Sequence, residues 1–152
     1  EPTHTVLPVP QLINERRIAV VIDEEHAREP GNGQAPANLW TFDVTDFGNI
    51  HGLGSYHVSE MDSPWSRTPG ARFGAHQFQD HLENSLVCCT WFSGGLRLVD
   101  VANPARPEEV GYFIPEPRAG YVAPQSNDVE IDDRGLIYLF DRDKGFDIME
   151  RN

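Results

Sequence analysis

Residues 39–46 (LWTFDVTD) and 96–103 (LRLVDVAN) are two versions of one segment, 57 positions apart. Aligning them pairs Leu39 with Leu96, Asp43 with Asp100, Val44 with Val101, Asp46 with Asn103 and Gly54 with Gly111. A third, weaker version at 145–150 (GFDIME) matches 95–100 (GLRLVD). Self-similarity on this scale marks a chain built by stacking one supersecondary unit on copies of itself. Each unit here reads as strands, which points to a piece of a β-propeller.

Strand signals recur along the chain and no convincing helix interrupts them. Residues 17–22 (RIAVVI) form a β-branched run suited to a buried strand, and 86–91 (LVCCTW) ends at Ser93-Gly94-Gly95. Residues 132–135 (DDRG) and 141–145 (DRDKG) read as hairpin turns. Labelling the strands of each unit a to d from the axis outward, the first unit takes 4–9, 17–22, 39–44 and 53–57. The second takes 76–79, 86–91, 96–101 and 109–114. The third takes 127–131, 136–140 and 146–150 and lacks its fourth strand. The expected fold is therefore all-β, a partial β-propeller of about three four-stranded antiparallel blades over 1–58, 74–115 and 126–152, the last incomplete. Propellers close with four to eight blades. Completion by an N-terminal portion or by another chain, which includes a second copy, is accordingly expected.

Composition narrows the partners. The 152 residues carry 24 acidic and 12 basic side chains, a net charge of −12, which argues against nucleic acid and anionic membrane surfaces. A small-molecule ligand or a cation fits that balance better. No run of 18 apolar residues occurs. Residues 1–10 show no signal-peptide pattern, so the cytoplasm is slightly favoured, with a true N-terminus expected upstream. Cys88 and Cys89 are adjacent on a strand, face opposite sides and read as small apolar residues rather than a disulfide.

In a propeller the loops leading into strands a and the loops joining b to c share one rim of the central channel. The starts of strands a carry His4, His76 and Asn127-Asp128. The b–c loops carry Asp23-Glu24-Glu25-His26, then Trp91 to Gly95, then Asp141 to Lys144. His4, His76 and one of Glu24 or Glu25 would form a His/His/carboxylate set, with Asp128 adding an oxygen. Imidazole with carboxylate suits Fe, Mn, Cu or Zn, and an open coordination position allows substrate activation. The alternative is a water-filled polar channel. His26, Trp65, Arg67, Trp91, Asn127 and Arg142 are the candidate substrate contacts, and Arg72 joins Trp65 and Arg67 in a long loop over 59–73. A second long loop spans 25–38; both are expected to open onto the rim. His51, His57 and His81 are read as structural or surface residues. The chain has no phosphate-cradling Gly-rich loop before a helix and no Gly-x-Ser-x-Gly elbow, so Ser or Cys nucleophilic catalysis has no support.

Residues 95–107 (GLRLVDVANPARP) and 109–112 (EVGY) resemble the LVIVD repeat family of bacterial β-propellers, as does 126–138 (SNDVEIDDRGLIY). The resemblance covers most of 76–150 and implies the fold rather than an activity. More distantly, the chain is similar to the selenium-binding protein and methanethiol oxidase family, propellers whose histidines face a metal in the channel. By that resemblance His4 and His76 would be ligands. Both families form full rings, which this chain does not reach. Two functions are expected from this reading. One is a metal-dependent enzyme, oxidoreductase or lyase, acting on a small molecule at the channel mouth. The other is a non-catalytic scaffold that binds a protein or small ligand through its rim loops.

Overall fold

The β-branched run after Arg16 becomes a strand buried along nearly its whole length. In a computed structural model, which describes residues 2–26 and 37–151, it is strand β2 (Ile18–Asp23). Ile18, Val20 and Ile22 are wholly buried on one of its faces. Around it form β1 (Thr3–Pro8), β3 (Leu39–Asp43) and β4 (His51–Tyr56), giving an antiparallel sheet in the order β1-β2-β3-β4. A second sheet holds β5 (Leu86–Thr90), β6 (Leu96–Asp100) and β7 (Glu108–Phe113) in chain order. The third consists of β8 (Ser126–Ile131), β9 (Leu136–Asp141) and β10 (Gly145–Glu150), also in chain order. All pairings are antiparallel, and no sheet closes on itself. Among the described residues the helical content is one 3₁₀ turn, Glu60–Asp62, capped by the Ser59 hydroxyl.

The expected innermost strand of the second unit is present in reduced form. Residues 76–79 touch β5 through one bridge, Phe78 with Cys89, and through main-chain bonds from His76 N to Thr90 O (3.0 Å) and Thr90 N to Gln77 O (2.7 Å). Gln79 completes the contact with its side chain, its Oε1 accepting from Cys88 N at 2.8 Å. The long loop expected over 25–38 lies mostly outside the described residues.

Alternation along each strand sends its apolar residues to both sides, and the three sheets stack accordingly. Between the first and second sheets lie Ile18, Val20, Ile22 and Leu39 against Phe78, Val87, Cys89, Trp91 and Val99. Between the second and third lie Cys88, Leu96 and Leu98 against Val129, Ile137 and Leu139. Cys88 and Cys89 thus serve opposite faces of one sheet, both buried and neither in a disulfide.

Several local features recur at matching places. The β3–β4 ladder shifts register between Thr41 and Phe42, and the β6–β7 ladder between Leu98 and Val99. Asp43 Oδ1 accepts from Thr45 N and Asp100 Oδ1 from Ala102 N, each at 2.9 Å. Neighbouring sheets are tied by the same kind of main-chain link. Glu25 N donates to Ala75 O (2.9 Å) between sheets one and two, and Ser126 N donates to Phe92 O (3.1 Å) between two and three. One link starts just past β2 and reaches the residue before His76; the other starts just past β5 and reaches the first residue of β8.

Candidate metal centre

The first of those links sets the site, because it brings Glu25, two residues past β2, beside Ala75, the residue before His76. Irregular pairing then aims the side chains. In β1, Thr3 pairs with Asp23 and Thr5 with Ile22, leaving His4 as an extra residue. In β8, Ser126 pairs with Asp141 and Asp128 with Phe140, leaving Asn127 in the same position. A bulge of this kind bends the strand and re-aims one side chain. The two bulges place His4 and Asn127 beside His76.

There, His4, Glu24 and His76 each offer a donor atom, and all three atoms lie within 4.8 Å of one another. His4 Nε2 is 3.9 Å from Glu24 Oε2, and His76 Nε2 is 3.7 Å from Glu24 Oε1. These separations exceed a hydrogen bond. They approach the spacing of roughly 3.4 Å between ligands of one tetrahedral ion with bonds near 2.1 Å. The imidazole rings lie 4.7 Å apart at 39°.

Surrounding groups fix both partners. His76 Nδ1 bonds to the main-chain oxygen of Asn127. That oxygen only accepts, so Nδ1 carries the proton and Nε2 keeps its lone pair toward Glu24. His4 Nδ1 bonds the Thr5 hydroxyl at 2.8 Å, which leaves its Nε2 facing the same way. Burial holds His76 below the ordinary imidazole value, against the opposing pull of Asn127 and Glu24, so the ring is neutral at pH 7. For Glu24, burial works to raise the value. The hydrogen bond and the charge of Arg72 act against it, and the carboxyl lies below its usual range. Arg72 Nη2 donates to Glu24 Oε1 at 3.0 Å while its Nε donates to Glu25 O at 2.8 Å. Arg72 is thus a buried strut for the acid.

The two adjacent glutamates separate cleanly. Glu24 enters the cluster, whereas Glu25 Oε2 accepts from Ala37 N at 3.2 Å and its side chain fills the space beside Gly74. His26 reaches the cluster's edge, Nε2 lying 3.4 Å from Glu24 Oε2. Asn127 contributes its main-chain oxygen to His76 and Thr90 Oγ1, and its side-chain oxygen to Arg142 Nε. Arg142 Nη2 stands 4.0 Å from Glu24 Oε1.

Other expected contacts lie elsewhere. Asp128 is outside the three-donor group: its Oδ1 accepts from Val129 N at 2.9 Å. Burial, with the like charges of Asp80 and Glu130, pushes its carboxyl upward. Trp91 is a correction, being buried in the core with its ring edge-on to Tyr56 at 5.6 Å, because it ends the buried face of β5. Arg67 is spent on Glu60 in its own loop, 2.9 Å away. Trp65 is half-buried in that loop, which Ser63 anchors to Ser93 O at 2.7 Å. Sequence reasoning missed Phe92, whose ring lies 4.8 Å from His76 and 3.9 Å from the Arg72 guanidinium. Its φ of +36° lies in the left-handed region that bulky residues avoid. The clue available was its place in the second b–c loop, between Trp91 and Ser93-Gly94-Gly95.

In comparisons with known proteins, no family model and no curated protein matches the chain.

Proposed function

We propose that the chain is part of an LVIVD-type β-propeller, and that His4, Glu24 and His76 hold a divalent transition metal in a metal-dependent enzyme. Iron, manganese, copper and zinc all suit two imidazoles and a carboxylate. The observation that carries the reading is the convergence of three donor atoms within 4.8 Å from segments 72 positions apart at their extremes. The donor set fits the group. Both imidazoles present Nε2, their Nδ1 atoms are bonded behind, and Glu24 is ionised and braced. The recurring links between successive sheets support the propeller, since one rotation relates each blade to the next.

A bound divalent ion would supply Lewis-acid or redox chemistry at the positions the three ligands leave open. Arg72 holds Glu24 in place, Asn127 holds His76 in one tautomer, and His26 stands at the edge, where it can accept or deliver a proton. The reaction class is an oxidation or a lyase elimination on a small molecule. The test is the metal content of the purified full chain by mass spectrometry. One ion per chain, lost in the His4→Ala/His76→Ala double variant, supports the proposal; a metal-free protein that takes up none of the four metals refutes it.

The second reading, a non-catalytic scaffold that binds a protein partner, draws on two sheet faces turned to solvent. On the outer side of the third sheet, Phe140 (40% exposed) pairs with Phe146 (56%), beside Ile148 (55%). On the far side of the first, Val6 (58%) and Trp40 (37%) flank Val21. Another polypeptide, or a second copy, completing the ring would cover both. Sedimentation equilibrium reads this directly, and a strictly monomeric full chain at all concentrations would exclude the second copy.

A further inference from the structure

Positive charge gathers around the three-donor group of a chain whose balance is −12. Glu24 is the one carboxylate of that group, and two guanidiniums close on it, Arg72 at 3.0 Å and Arg142 at 4.0 Å. The acids at the ends of β2 and β9 are engaged by other partners. Asp23 Oδ2 accepts from Trp40 Nε1 (2.7 Å), and Asp141 accepts from the main chain of Gln125, Asp143 and Lys144. Asp128 is the further acid in electrostatic reach of His4. Within the three-donor group itself, two guanidiniums stand against the single carboxylate of Glu24.

The two arginines are used differently. Arg72 has a side chain only 7% exposed and spends its donors on Glu24 and the Glu25 carbonyl. Arg142 is 42% exposed. Among the described residues its hydrogen bond runs from Nε to Asn127 Oδ1, and Nη2 lies 4.0 Å from Glu24 Oε1, which leaves Nη1 and the remaining Nη2 proton as donors on a partly exposed side chain. The fork is held in place all the same. Its carbon lies 5.5 Å from the Phe92 ring centroid, and that ring is fixed by a buried residue in the left-handed region, a conformation that persists where the surroundings impose it. The Asn127 amide, having accepted from Arg142, keeps its NH₂ as a donor beside the fork.

We propose that Arg142, backed by Phe92 and steadied by Asn127, forms a carboxylate subsite next to the His4–Glu24–His76 group, so that the small molecule this site takes is a carboxylate monoanion. The planar fork matches the two oxygens of a carboxylate. A dianion such as phosphate is disfavoured, because its second charge meets Glu24 across the same guanidinium. The substrate assignment rests on the metal-centre reading above; the anion subsite itself does not.

The test titrates the full chain with sodium acetate and, separately, with inorganic phosphate. The ¹⁵N–¹H signal of Arg142 Nε is followed in metal-free protein, and the visible spectrum in Co²⁺-loaded protein. Acetate is expected to move both signals at lower concentration than phosphate. In Arg142→Gln, whose partly exposed side chain leaves the core untouched, acetate binding should weaken about tenfold or more while Co²⁺ is still taken up. Arg142→Lys should fall between, keeping charge but losing the fork. Unchanged acetate affinity in Arg142→Gln, tighter binding of phosphate than acetate, or Co²⁺ uptake with no acetate response at either signal would overturn the subsite. If Co²⁺ is not taken up while acetate still shifts the Nε signal, the metal reading fails and the subsite stands.

Discussion

Gly54 and Gly111 occupy aligned positions in the two strongest copies of the repeated segment, yet their surroundings differ sharply. A Cβ on Gly54 would lie 2.6 Å from Pro104 O and 3.0 Å from both Ala105 C and Ala105 O. Those are main-chain atoms of the β6–β7 turn, which docks on the first sheet and accepts a hydrogen bond from Thr41 Oγ1 at Pro104 O. Such atoms cannot swing aside as the tip of a side chain can. Gly54→Ala must therefore push the second sheet away from the first or break the Thr41 contact. Overpacking of this kind costs about 1–3 kcal/mol. A Cβ on Gly111 meets only Leu98, at 3.8 and 3.9 Å, which is ordinary contact. Gly111→Ala should be neutral, or more stable by up to roughly 1 kcal/mol through reduced freedom of the unfolded chain. For a chain of this size 1 kcal/mol moves the melting temperature by roughly 2–4 °C. Scanning calorimetry should therefore show Gly54→Ala lowered by roughly 2–12 °C and Gly111→Ala unchanged or slightly raised. Equal melting temperatures for the two variants would refute the close approach of the first two sheets, on which the meeting of Glu24 with His76 depends.

Further outcomes follow from other parts of the molecule. Arg97 is fully buried, donates to Gly94 O (3.0 Å) and Asp62 O (3.2 Å), and pairs with Glu109 at 3.2 Å. Arg97→Ala should cost about 3 kcal/mol in urea unfolding, and Arg97→Lys should not restore it, since one ammonium cannot span the same acceptors. Burial pushes the Cys88 thiol up to about 11 and Cys89 higher still. Neither should react with a thiol reagent at pH 8 until the chain unfolds. Because both values are raised above the ordinary 9.0, their contribution to stability is intact below pH 9 and is lost as pH rises toward 11, readable as a falling urea midpoint. Zinc at a hundredfold excess over its dissociation constant should stabilise the wild-type chain by about 2.7 kcal/mol, a rise of roughly 5–10 °C. Glu24→Gln should abolish that rise and Glu25→Gln should keep it; equal responses would contradict the separation of the two acids.

Much of this molecule was legible before any coordinates. Apolar runs bounded by Gly, Pro and Asp located the ten strands among the described residues to within a few positions; the signal was plainest in β2, β5 and β6, where burial on both faces demands near-continuous apolar sequence. His4 and His76 were picked out as candidates through their matching places in the repeat rather than through spacing, which carries no signal at 72 positions, and the structure brings their rings within 4.7 Å. Glu24 could not be told from Glu25, since neighbouring loop residues look alike in one dimension. What separates them is a main-chain bond from Glu25 N to Ala75 O. Trp91 was misread as lining the rim because alternation continues one residue past Thr90 and returns it to the core. Phe92 was overlooked for a related reason: a positive φ on a bulky residue is imposed by its neighbours and leaves no trace in composition.

The most direct measurement is pulsed electron paramagnetic resonance on the full chain loaded with one equivalent of Cu²⁺, which counts coordinated imidazoles through their remote nitrogens. The account predicts two, falling to one in His4→Ala and to one in His76→Ala. Two imidazoles retained in both variants, or none in the wild type, would contradict it.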